Sequence, residues 1–589
     1  MNNAMIDYIK RLKPPAHPDG RQILMDGVKI GETLEAGRSR FIREGGQYRT
    51  HMAYKKDLTR QGRIYWNILL GLATLDDQVE GVKKIQAFVE RTGMEVSCIQ
   101  AIPSGLVALP KAYRDKAPQT TSFTMDSYED YEKLVSAAPL EFTFNDYHLV
   151  SPNALETTIH ALRAGSPRIG DVTQFFWGYP GFNDDLGRFI DVVKSFGIVA
   201  SKKDEDVACE TYLDDGFPAY FLDCSSYVGY AMLEHYIVTQ LCGARYVISF
   251  GGLLSEGDSR MAVAMALDKA LSTEDWPVLT YVNSSTNLQW DHDIHGNYGI
   301  SCQEFLFEIL VERKYKMGMG INPVSITEKI KVATIDDLLN ILAAGKRCEE
   351  MAPYWEPFVD FTRLEQMRDE MVEQGRIFFN NALDGFKKAG IDVADPLELL
   401  MALKNFNPIK FEQAFHSTST EDENGEIRPF YPTVMGRQTV NQRNEYVERL
   451  KQKGLQGSLK GRKIVMGSGD CHTYGLVLVE GVLHEMGATV INAGVDIDPI
   501  DLLDLADEEG TKIVGISCHN GQALDYGRQL LQLAKERDRE YWIFMGGKLN
   551  AILPGQAEPT EIGPMLIEMG IHAENDIMLT VDQVRQLPA

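Results

Sequence analysis

Short apolar runs alternate with helical stretches along most of the chain, and this alternation restricts the possible folds more than any other feature. Eight runs rich in Val, Ile, Phe or Tyr begin at residue 95. In order they read EVSCIQAIPSG, LEFTFNDYH, VTQFFWGYPG, FGIVASKK, PAYFLDCSS, ARYVISFGG, VLTYVNSS and MGMGINPVS. Strands alternating with helices in this way predict a (β/α)8 (TIM) barrel over residues 86–350. A doubly wound open sheet is the alternative that the pattern leaves open.

The segments on either side of the barrel pattern differ from it. Residues 1–85 begin with charged stretches such as KRLKPP and predict an N-terminal arm that lies on the main domain. Residues 351–460 predict a connecting segment that is helical at first and largely irregular from residue 405 onward. From residue 461 a second rhythm begins, in which KIVMGSGD, ATVINAGVD, TKIVGISCHNG and YWIFMGG alternate with helical stretches. We expect parallel strands in a flavodoxin-like (Rossmann-type) domain at residues 461–589.

Charge and cysteine usage argue against several classes of protein. The net charge is −25, and no basic cluster is present that could release counterions from nucleic acid or an anionic membrane. The eight cysteines form no CxxC pair, which argues against a disulfide framework and against a zinc site. The start, MNNAMIDYIKRLKPP, has no apolar signal region, and no apolar run reaches membrane length. We therefore expect a cytoplasmic protein with no nucleic-acid or membrane partner.

The stretch SGDCHTYG, residues 468–475, places an acid, a thiol and an imidazole side by side after a predicted strand. Asp470 can accept the Nδ1–H of His472, which would leave Nε2 of the ring available as a metal ligand or a base. Gly475 would let the following helix approach closely. A turn formed by the aspartate, with an incidental histidine, explains the same local pattern. Other parts of the domain have to decide between these interpretations.

Two further loops of the domain complete a known pattern. Ser517 ends the third predicted strand, 45 residues after His472, and Gly546-Gly547 ends the fourth. This DxHxxG…S…GG pattern resembles the cobalamin-binding module of B12 enzymes that bind the cofactor base-off and His-on. The resemblance implies that His472 is the ligand to cobalt and that the three loops hold the cofactor, although the family has S-x-L where this chain reads Ser517-Cys518-His519. The residues implied to bind cofactor are Gly469, Asp470, Cys471, His472, Thr473, Gly475, Ser517, Cys518, His519, Gly546, Gly547, Lys548, Leu549 and Asn550.

The barrel region is similar to the large component of glutamate mutase. IPSGLVAL (102–109), GYPGFN (178–183) and DWPVLTYVN (275–283) have counterparts there in the same order. The two components are separate chains in that family and would be fused here. The resemblance implies an adenosylcobalamin-dependent isomerase, a carbon-skeleton mutase similar to glutamate mutase or 2-methyleneglutarate mutase, which uses a 5′-deoxyadenosyl radical on a small-molecule substrate. It also implies that Gly105 and Asn183 touch the cofactor, and we expect a homodimer or a higher homo-oligomer.

The resemblance does not extend to the substrate. Glutamate mutase-like barrels hold two substrate carboxylates with three arginines, and none of the corresponding positions is arginine here. His148 and Lys202 lie at or near two of these positions, and the loop QWDHDIHGNYG supplies His292 and His295, so these four are the candidate catalytic residues. Acids near the predicted strand ends would favour an amine- or hydroxyl-bearing substrate if several of them face the cavity, and the alternative is that they cap helices.

Two other functions stay open from the sequence. One is a corrinoid-dependent methyltransferase, and the other is a non-catalytic B12-binding protein. Methyltransferases of this kind usually carry a four-helix cap just before DxHxxG, and the irregular stretch expected at 405–460 counts against them.

Overall fold

A computed structural model of the chain describes residues 3–116, 122–179, 181–251, 256–284, 290–327, 333–417, 427–469, 474–494, 497–518, 523–547, 549–551, 560–573 and 576–587. The chain divides into two compact units. The first consists of Met1–Asp115, Gln119–Phe176 and Asn183–Val434, and the second of Met435–Ala589 with Lys116–Pro118 and Trp177–Phe182. No helix in the described ranges combines the length and the apolarity that crossing a bilayer requires.

Eight parallel strands close into a barrel in the first unit, which confirms the fold predicted for this region. The strands are β1 (Tyr65–Leu70), β2 (Cys98–Ala101), β3 (Glu141–Phe144), β4 (Arg168–Ile169), β5 (Ala208–Tyr212), β6 (Arg245–Phe250), β7 (Leu279–Ser284) and β8 (Gly320–Pro323). β1 pairs with β8, with Tyr65 level with Gly320, and this pairing completes the ring. A Cβ atom on Gly320 would lie 2.4 Å from the ring of Tyr65, so glycine is required beside this side chain.

Helices surround the barrel and extend beyond it. Those of the first unit are α1 (Asn3–Arg11), α2 (Gly20–Thr33), α3 (Arg40–Gly45), α4 (His51–Arg60), α5 (Leu75–Thr92), α6 (Tyr128–Val135), α7 (Ala154–Ala164), α8 (Asp185–Ala200), α9 (Cys224–His235), α10 (Gly257–Leu271), α11 (Ile294–Tyr315), α12 (Ile335–Trp355), α13 (Thr362–Lys388), α14 (Pro396–Lys404) and α15 (Pro408–Phe415). Helix α13 packs against α9 and α10. The contact with α9 is close, because a Cβ atom on Gly229 would lie 2.6 Å from the carbonyl oxygen of Gly375.

Five of the eight predicted barrel strands are right, namely the runs that contain β2, β3, β6, β7 and β8. The other three predictions are wrong. VTQFF forms a short 3-10 helix, FGIVA is the last part of α8, and FPAY forms another 3-10 turn. These runs are apolar because they are buried among helices. The strands missed in their place, β1, β4 and β5, carry Asn67, Arg168 and Glu210, polar side chains that are buried in the barrel.

The barrel begins earlier than the sequence pattern indicates. β1 lies within residues 1–85, where the sequence pattern predicts an N-terminal arm outside the barrel, so the boundary at residue 86 is wrong. Helices α1 to α4, which precede β1, correspond to the expected arm. Helix α2 packs on α8 so closely that a Cβ atom on Gly27 would come within 2.2 Å of the carbonyl oxygen of Lys194.

The described residues of 405–460 are not largely irregular, contrary to the prediction. Helix α15 falls in this range, and so does α16 (Val434–Gln452). Phe411 of α15 contacts the ring of Phe378, which places α15 with the first unit. Val447 and Leu450 of α16 lie in the core of the C-terminal domain. The predicted connecting segment is therefore divided between the two units.

A parallel five-stranded sheet forms the C-terminal domain, and the sequence predicts this parallel sheet and four of its five strands. Its strands, in the order β10-β9-β11-β12-β15, are β10 (Thr489–Asn492), β9 (Lys463–Ser468), β11 (Ile513–Cys518), β12 (Trp542–Gly547) and β15 (His572–Ala573). A two-stranded antiparallel pair, β13 (Asn550–Ala551) and β14 (Thr560–Glu561), lies between β12 and β15 in the chain. The other helices are α17 (Tyr474–Glu485), α18 (Pro499–Glu508), α19 (Ala523–Glu536), α20 (Gly563–Glu568) and α21 (Ile577–Gln586).

Both faces of this sheet are covered, which is why its strands are continuous apolar runs. On one face Ile464 and Phe544 pack with residues of α16, α17 and α21. On the other face Val465 and Ile516 pack with residues of α18, α19 and α20. The order of the strands is the flavodoxin-like one, and it reverses between β9 and β11.

Candidate functional site

The carboxyl ends of β9, β11 and β12 lie side by side, because β11 pairs with both of the other strands. Ser517 is level with Ser468 on β9 and with Gly546 on β12. The amide of Gly469 donates to the carbonyl of Ser517 at 2.8 Å. In open parallel sheets ligands bind at the point where the strand order reverses, and here that point is the gap between β9 and β11. The three loops of the sequence pattern therefore begin at neighbouring positions of the expected binding edge.

Ser517 has the properties of a residue that faces a ligand. Its side chain is only 6% exposed, and its hydroxyl has no hydrogen-bond partner among the described residues. A buried hydroxyl without a partner costs about 1–3 kcal/mol, and such groups in native proteins usually serve a ligand or water. Ser517 is the serine that the DxHxxG…S…GG pattern assigns to the cofactor.

Glycines keep the backbone of these loops closely packed. Gly547 has a φ of +108°, a conformation that side chains disfavour, and a Cβ atom there would lie 2.3 Å from the carbonyl oxygen of Cys518. A Cβ atom on Gly469 would lie 2.9 Å from the sulfur of Cys518 and 3.0 Å from the ring of Tyr526. The described part of the site therefore combines close backbone approach with an unpaired hydroxyl. Both properties fit a bulky cofactor tail that runs against main chain.

The remaining cofactor residues expected in this domain have different outcomes. Gly475 lies half-buried in the first turn of α17, and Asn550 begins β13. The side chains of Cys518 and Leu549 belong to the hydrophobic core, so any contact of these residues with a cofactor would come from their main chains. Six expected cofactor residues, including the expected cobalt ligand, lie outside the described ranges: Asp470, Cys471, His472, Thr473, His519 and Lys548.

In the barrel, three aspartates come together at the carboxyl ends of neighbouring strands. Asp146 follows β3, Asp171 follows β4 and Asp215 follows β5, and one carboxylate oxygen of each lies within 4.8 Å of the other two. The Nε2 amide of Gln174 donates to Asp146 at 2.9 Å and to Asp215 at 3.3 Å. TIM-barrel enzymes place their active sites at this end of the strands. The cluster therefore marks the candidate substrate site of the barrel.

Asp171 is the most buried member of this cluster. Its Oδ1 accepts from the backbone amides of Tyr212 at 2.8 Å and Thr173 at 3.2 Å, whereas its Oδ2 has no partner among the described residues. Burial, together with the charges of Asp215 and Asp146, holds the pKa of Asp171 well above its usual value. Burial also raises the pKa of Asp146 to about 6. The site is thus a concentration of negative charge that is costly to keep ionised.

A chain of polar side chains from neighbouring strands lies in the barrel. The hydroxyl of Tyr281 donates to Gln100 at 2.6 Å. The amide of Asn283 donates to the hydroxyl of Tyr212 at 2.7 Å and accepts from the amide of Asn322 at 2.7 Å. These donors and acceptors come from β2, β5, β7 and β8. An interior of this kind suits a small polar substrate.

An ion pair lies in the same interior. A guanidinium nitrogen of Arg168, the first residue of β4, is 2.9 Å from a carboxylate oxygen of Glu210 on β5. The same oxygen accepts from Thr280 at 2.9 Å, and a second guanidinium nitrogen contacts Asn67 at 3.2 Å. Arg168 thus links β1, β4 and β5 across the interior.

Two of the four predicted catalytic residues are corrected by the structure. His148 is completely buried, and both ring nitrogens are engaged, Nε2 with the hydroxyl of Tyr131 at 2.8 Å and Nδ1 with the carbonyl of Asp146 at 2.7 Å. Burial lowers the pKa of His148 to about 4, so the ring is neutral and holds the backbone in place. Lys202 precedes β5 and therefore lies at the opposite end of the strands from the aspartates. Its Nζ is 3.7 Å from a carboxylate oxygen of Glu205.

The other predicted barrel residues lie near the expected end of the strands. His292 and His295 follow β7 and are exposed, with His295 in the first turn of α11. Gly105 lies in a 3-10 turn after β2. A Cβ atom on Gly105 would lie 3.6 Å from the ring of Tyr147. Asn183 is exposed just before α8. A role for these four residues stays a prediction.

Sequence reasoning missed most of the barrel site. Asp171, Gln174 and Asp215 lie in or beside segments whose secondary structure was predicted wrongly. A usable signal was present, because CETYLDD and RIGD place acids directly after short polar strands.

Comparison with known proteins identifies one of the two units. Residues 462–563 match the family described as B12 binding domain. The C-terminal parallel sheet is therefore a B12-binding domain, and it is joined in one chain to an eight-stranded barrel. The family match covers the three strand ends that carry Gly469, Ser517 and Gly547.

Two solved structures are similar to parts of the chain. A novel cobalamin-binding protein from Desulfitobacterium hafniense DCB-2 shares 17% identity over 39% of this chain and 100% of its own, with a TM-score of 0.20. The carboxyl transferase domain of Rhizobium etli pyruvate carboxylase, with pyruvate and biocytin, shares 13% identity over 63% of this chain and 65% of its own, with a TM-score of 0.30. The sequence matches none of the curated proteins.

Proposed function

We propose that the protein is a cobalamin-dependent enzyme whose C-terminal domain binds the cofactor and whose barrel binds a small polar substrate. The observation that carries this proposal is the union, in one chain, of a B12-binding domain and a barrel with buried polar groups at the carboxyl ends of its strands. A protein that only binds B12 has no need of such a cluster. Buried carboxylates lower the stability of the folded protein unless a bound ligand offsets the cost of burying their charge.

Within this class we propose an adenosylcobalamin-dependent isomerase, a carbon-skeleton mutase. The order of motifs in the barrel supports it, as does the region before the B12-binding domain. Among the described residues of the second unit, a single helix, α16, precedes β9, whereas a methyltransferase would carry a four-helix cap there. Adenosylcobalamin, when bound, supplies radical chemistry, and the protein supplies binding, orientation and exclusion of water.

The roles of the chain's own residues follow from their positions. In the C-terminal domain the hydroxyl of Ser517 would hydrogen-bond the cofactor, the glycine loops would follow its tail, and His472 would ligate cobalt, as the resemblance implies. In the barrel the carboxylates would bind the substrate from one side, and Tyr212 and Asn283 would orient its polar groups. Asp171 is fully buried and Asp146, Asp215, Tyr212 and Asn283 are partly buried, a position that would limit access of water to the substrate.

Glutamate is disfavoured as the substrate. Of the described buried arginines, Arg168 pairs with Glu210, and Arg260 contacts Glu304 at 2.8 Å and Glu308 at 2.9 Å. The third, Arg188, donates to the backbone carbonyls of Val150 and Phe175. An arginine that is already paired with a buried carboxylate could bind a carboxylate of a dicarboxylic substrate only if its ion pair were broken. Breaking a buried ion pair is strongly unfavourable.

The test is anaerobic incubation of the full chain with adenosylcobalamin and one candidate compound at a time, followed by EPR. The compounds are drawn from amines, amino acids, hydroxy acids and diacids. A Co(II) signal that depends on one compound, together with its isomer in the products, supports the mutase. Methyl transfer from methylcobalamin would instead identify a methyltransferase, and cofactor binding without either reaction would identify a non-catalytic protein.

The cobalt ligand has a separate test. With ¹⁵N-labelled protein, a coordinating imidazole broadens the Co(II) lines, and we expect His472→Ala to remove the broadening. His484→Ala is the matched control, since His484 lies in the last turn of α17. Broadening that persists in the His472→Ala variant would show that another residue binds cobalt.

A further inference from the structure

The three aspartates at the carboxyl ends of β3, β4 and β5 form a compact acidic cluster, but acidic clusters occur in many proteins without a ligand. The cluster here differs from a surface cluster because one of its carboxylates is fully buried. Asp171 is completely buried, while Asp146 and Asp215 are half-buried. Gln174 bridges the two half-buried carboxylates and holds them near Asp171.

The residue that precedes the cluster in the chain carries unsatisfied polar atoms, and these are independent of the acidic charge. Asn145, which immediately precedes Asp146, is completely buried, and neither atom of its side-chain amide has a partner among the described residues. Two positions earlier, Thr143 hydrogen-bonds Cys98, which in turn contacts Arg168 in the barrel interior. Because side chains alternate along a strand, Asn145 continues on the interior face. Buried amides are nearly always hydrogen-bonded, so a group that donates and accepts here is missing a partner.

Two of the three aspartates have no ion-pair partner among the described residues. Neither Asp146 nor Asp171 forms an ion pair with a described lysine or arginine. Arg188 is close along the chain, yet its guanidinium donates to the backbone carbonyls of Val150 at 2.8 Å and Phe175 at 2.9 Å. Burial and mutual repulsion raise the pKa of Asp171, as expected where a positive partner is missing.

We propose that Asp146, Asp171 and Asp215 together bind one cationic group at this end of the barrel, with Asn145 beside it. The group is either the ammonium of an amine-bearing substrate or a divalent metal ion that binds the substrate. Acceptor oxygens within 4.8 Å of one another can surround one nitrogen or one metal ion. The proposal deepens the proposed function, and it rests on that function only in naming the bound group as part of the substrate site.

The experiment uses the full chain without cobalamin, freed of metal by chelation. One arm titrates Mn²⁺ and measures the EPR signal of the free ion. The other arm titrates n-butylammonium by calorimetry, with n-butanol as the uncharged comparison. Asp171→Asn and Asp146→Asn are the test variants, and Asp384→Asn, which removes an exposed carboxylate of α13, is the matched control. Far-UV circular dichroism of each variant verifies the fold, and Asp146→Asn serves if Asp171→Asn does not fold.

One Mn²⁺ per chain, bound at least tenfold more weakly by the test variants than by the control, would assign the site to a metal. Binding of n-butylammonium but not n-butanol, with the same loss in the test variants, would assign it to a substrate ammonium. Absence of both, or binding that the test variants retain, would overturn the proposal. A separate experiment measures cobalamin uptake by the absorption spectrum of the cofactor. Its result distinguishes a failure of this proposal from a failure of the proposed function.

Discussion

Replacement of Gly547 by alanine tests the packing of the three loops of the B12-binding domain. The residue has a φ of +108°, and an added Cβ atom would lie 2.3 Å from the carbonyl oxygen of Cys518. A non-glycine residue in such a conformation costs about 1–3 kcal/mol, and overpacking adds about 1–3 kcal/mol. The Gly547→Ala variant should therefore destabilise the domain by about 2–6 kcal/mol and move the loop after β12 away from the loop after β11.

A matched control separates these two contributions. Gly570 has a φ of +92°, but a Cβ atom built on it meets nothing within 4 Å. The Gly570→Ala variant should be destabilised only by about 1–3 kcal/mol, the cost of placing alanine in this backbone conformation. The difference between the two variants, about 1–3 kcal/mol, is the contact with the carbonyl of Cys518.

Hydrogen–deuterium exchange measures this difference locally. Amides of Ile513–Cys518 and Trp542–Gly547 should exchange about 5- to 150-fold faster in Gly547→Ala than in Gly570→Ala, since 1.4 kcal/mol corresponds to a factor of ten. Cobalamin affinity should fall in Gly547→Ala and stay close to wild type in Gly570→Ala. Equal exchange in the two variants would refute the close approach of Gly547 to Cys518, and with it the arrangement of the loops.

Three further predictions concern single side chains. Ser517→Ala should weaken cobalamin binding by about 2- to 15-fold, the value of one hydrogen bond, and should raise the stability of the cofactor-free protein by about 1–3 kcal/mol, because it removes a buried hydroxyl that has no partner among the described residues. A titration of cobalamin absorbance with unchanged affinity would contradict this. Burial raises the pKa of Glu141 to about 8, from a value near 4.5 in the unfolded chain. The contribution of Glu141 to the free energy of unfolding is therefore present at low pH and is lost as the pH rises from about 4.5 to 8. Glu141→Gln should thus match wild type in urea unfolding at pH 5 and exceed it by roughly 4 kcal/mol at pH 8.5, and parallel pH profiles would disprove the shift. A hydrogen bond from Cys348 lowers the pKa of Cys302 to about 7, and Cys302 alone among the seven described cysteines is not buried. Among these seven cysteines, iodoacetamide at pH 7.5 should label Cys302 first, as read by mass spectrometry, and Cys348→Ala should slow that labelling several-fold. Equal labelling rates in the variant and the wild type would contradict the assignment.

The sequence predicts the parts of this molecule that are local. Helix starts and the buried strands of the C-terminal sheet depend on neighbours along the chain, and so does the spacing from Asp470 to Gly475. Ser517 and Gly547 also follow runs of apolar residues that read clearly as strands. For this reason four of the five strands of the sheet are predictable from the sequence, whereas the short strand β15 and the contribution of helix α16 to the core are not.

The barrel site is not local, and its prediction fails for that reason. Its side chains come from several strands, and the strands that carry most of them are short or polar. β4 has only two residues, one of them Arg168, and β5 contains Glu210 at its centre. Such strands have no apolar alternation, while the buried helix end FGIVA imitates it. Only the closed ring of strands shows that Asp146, Asp171 and Asp215 share one place.

Helix α16 has a practical consequence for anyone who wishes to study the B12-binding domain by itself. Val447 and Leu450 fill the same core as Ile464 and Phe544. A fragment that starts at residue 461, where the run of strands suggests a boundary, would lack this helix and expose an apolar face of the sheet to water. Such a fragment should aggregate during expression. A fragment that starts at or before Val434 keeps the helix and should remain monodisperse.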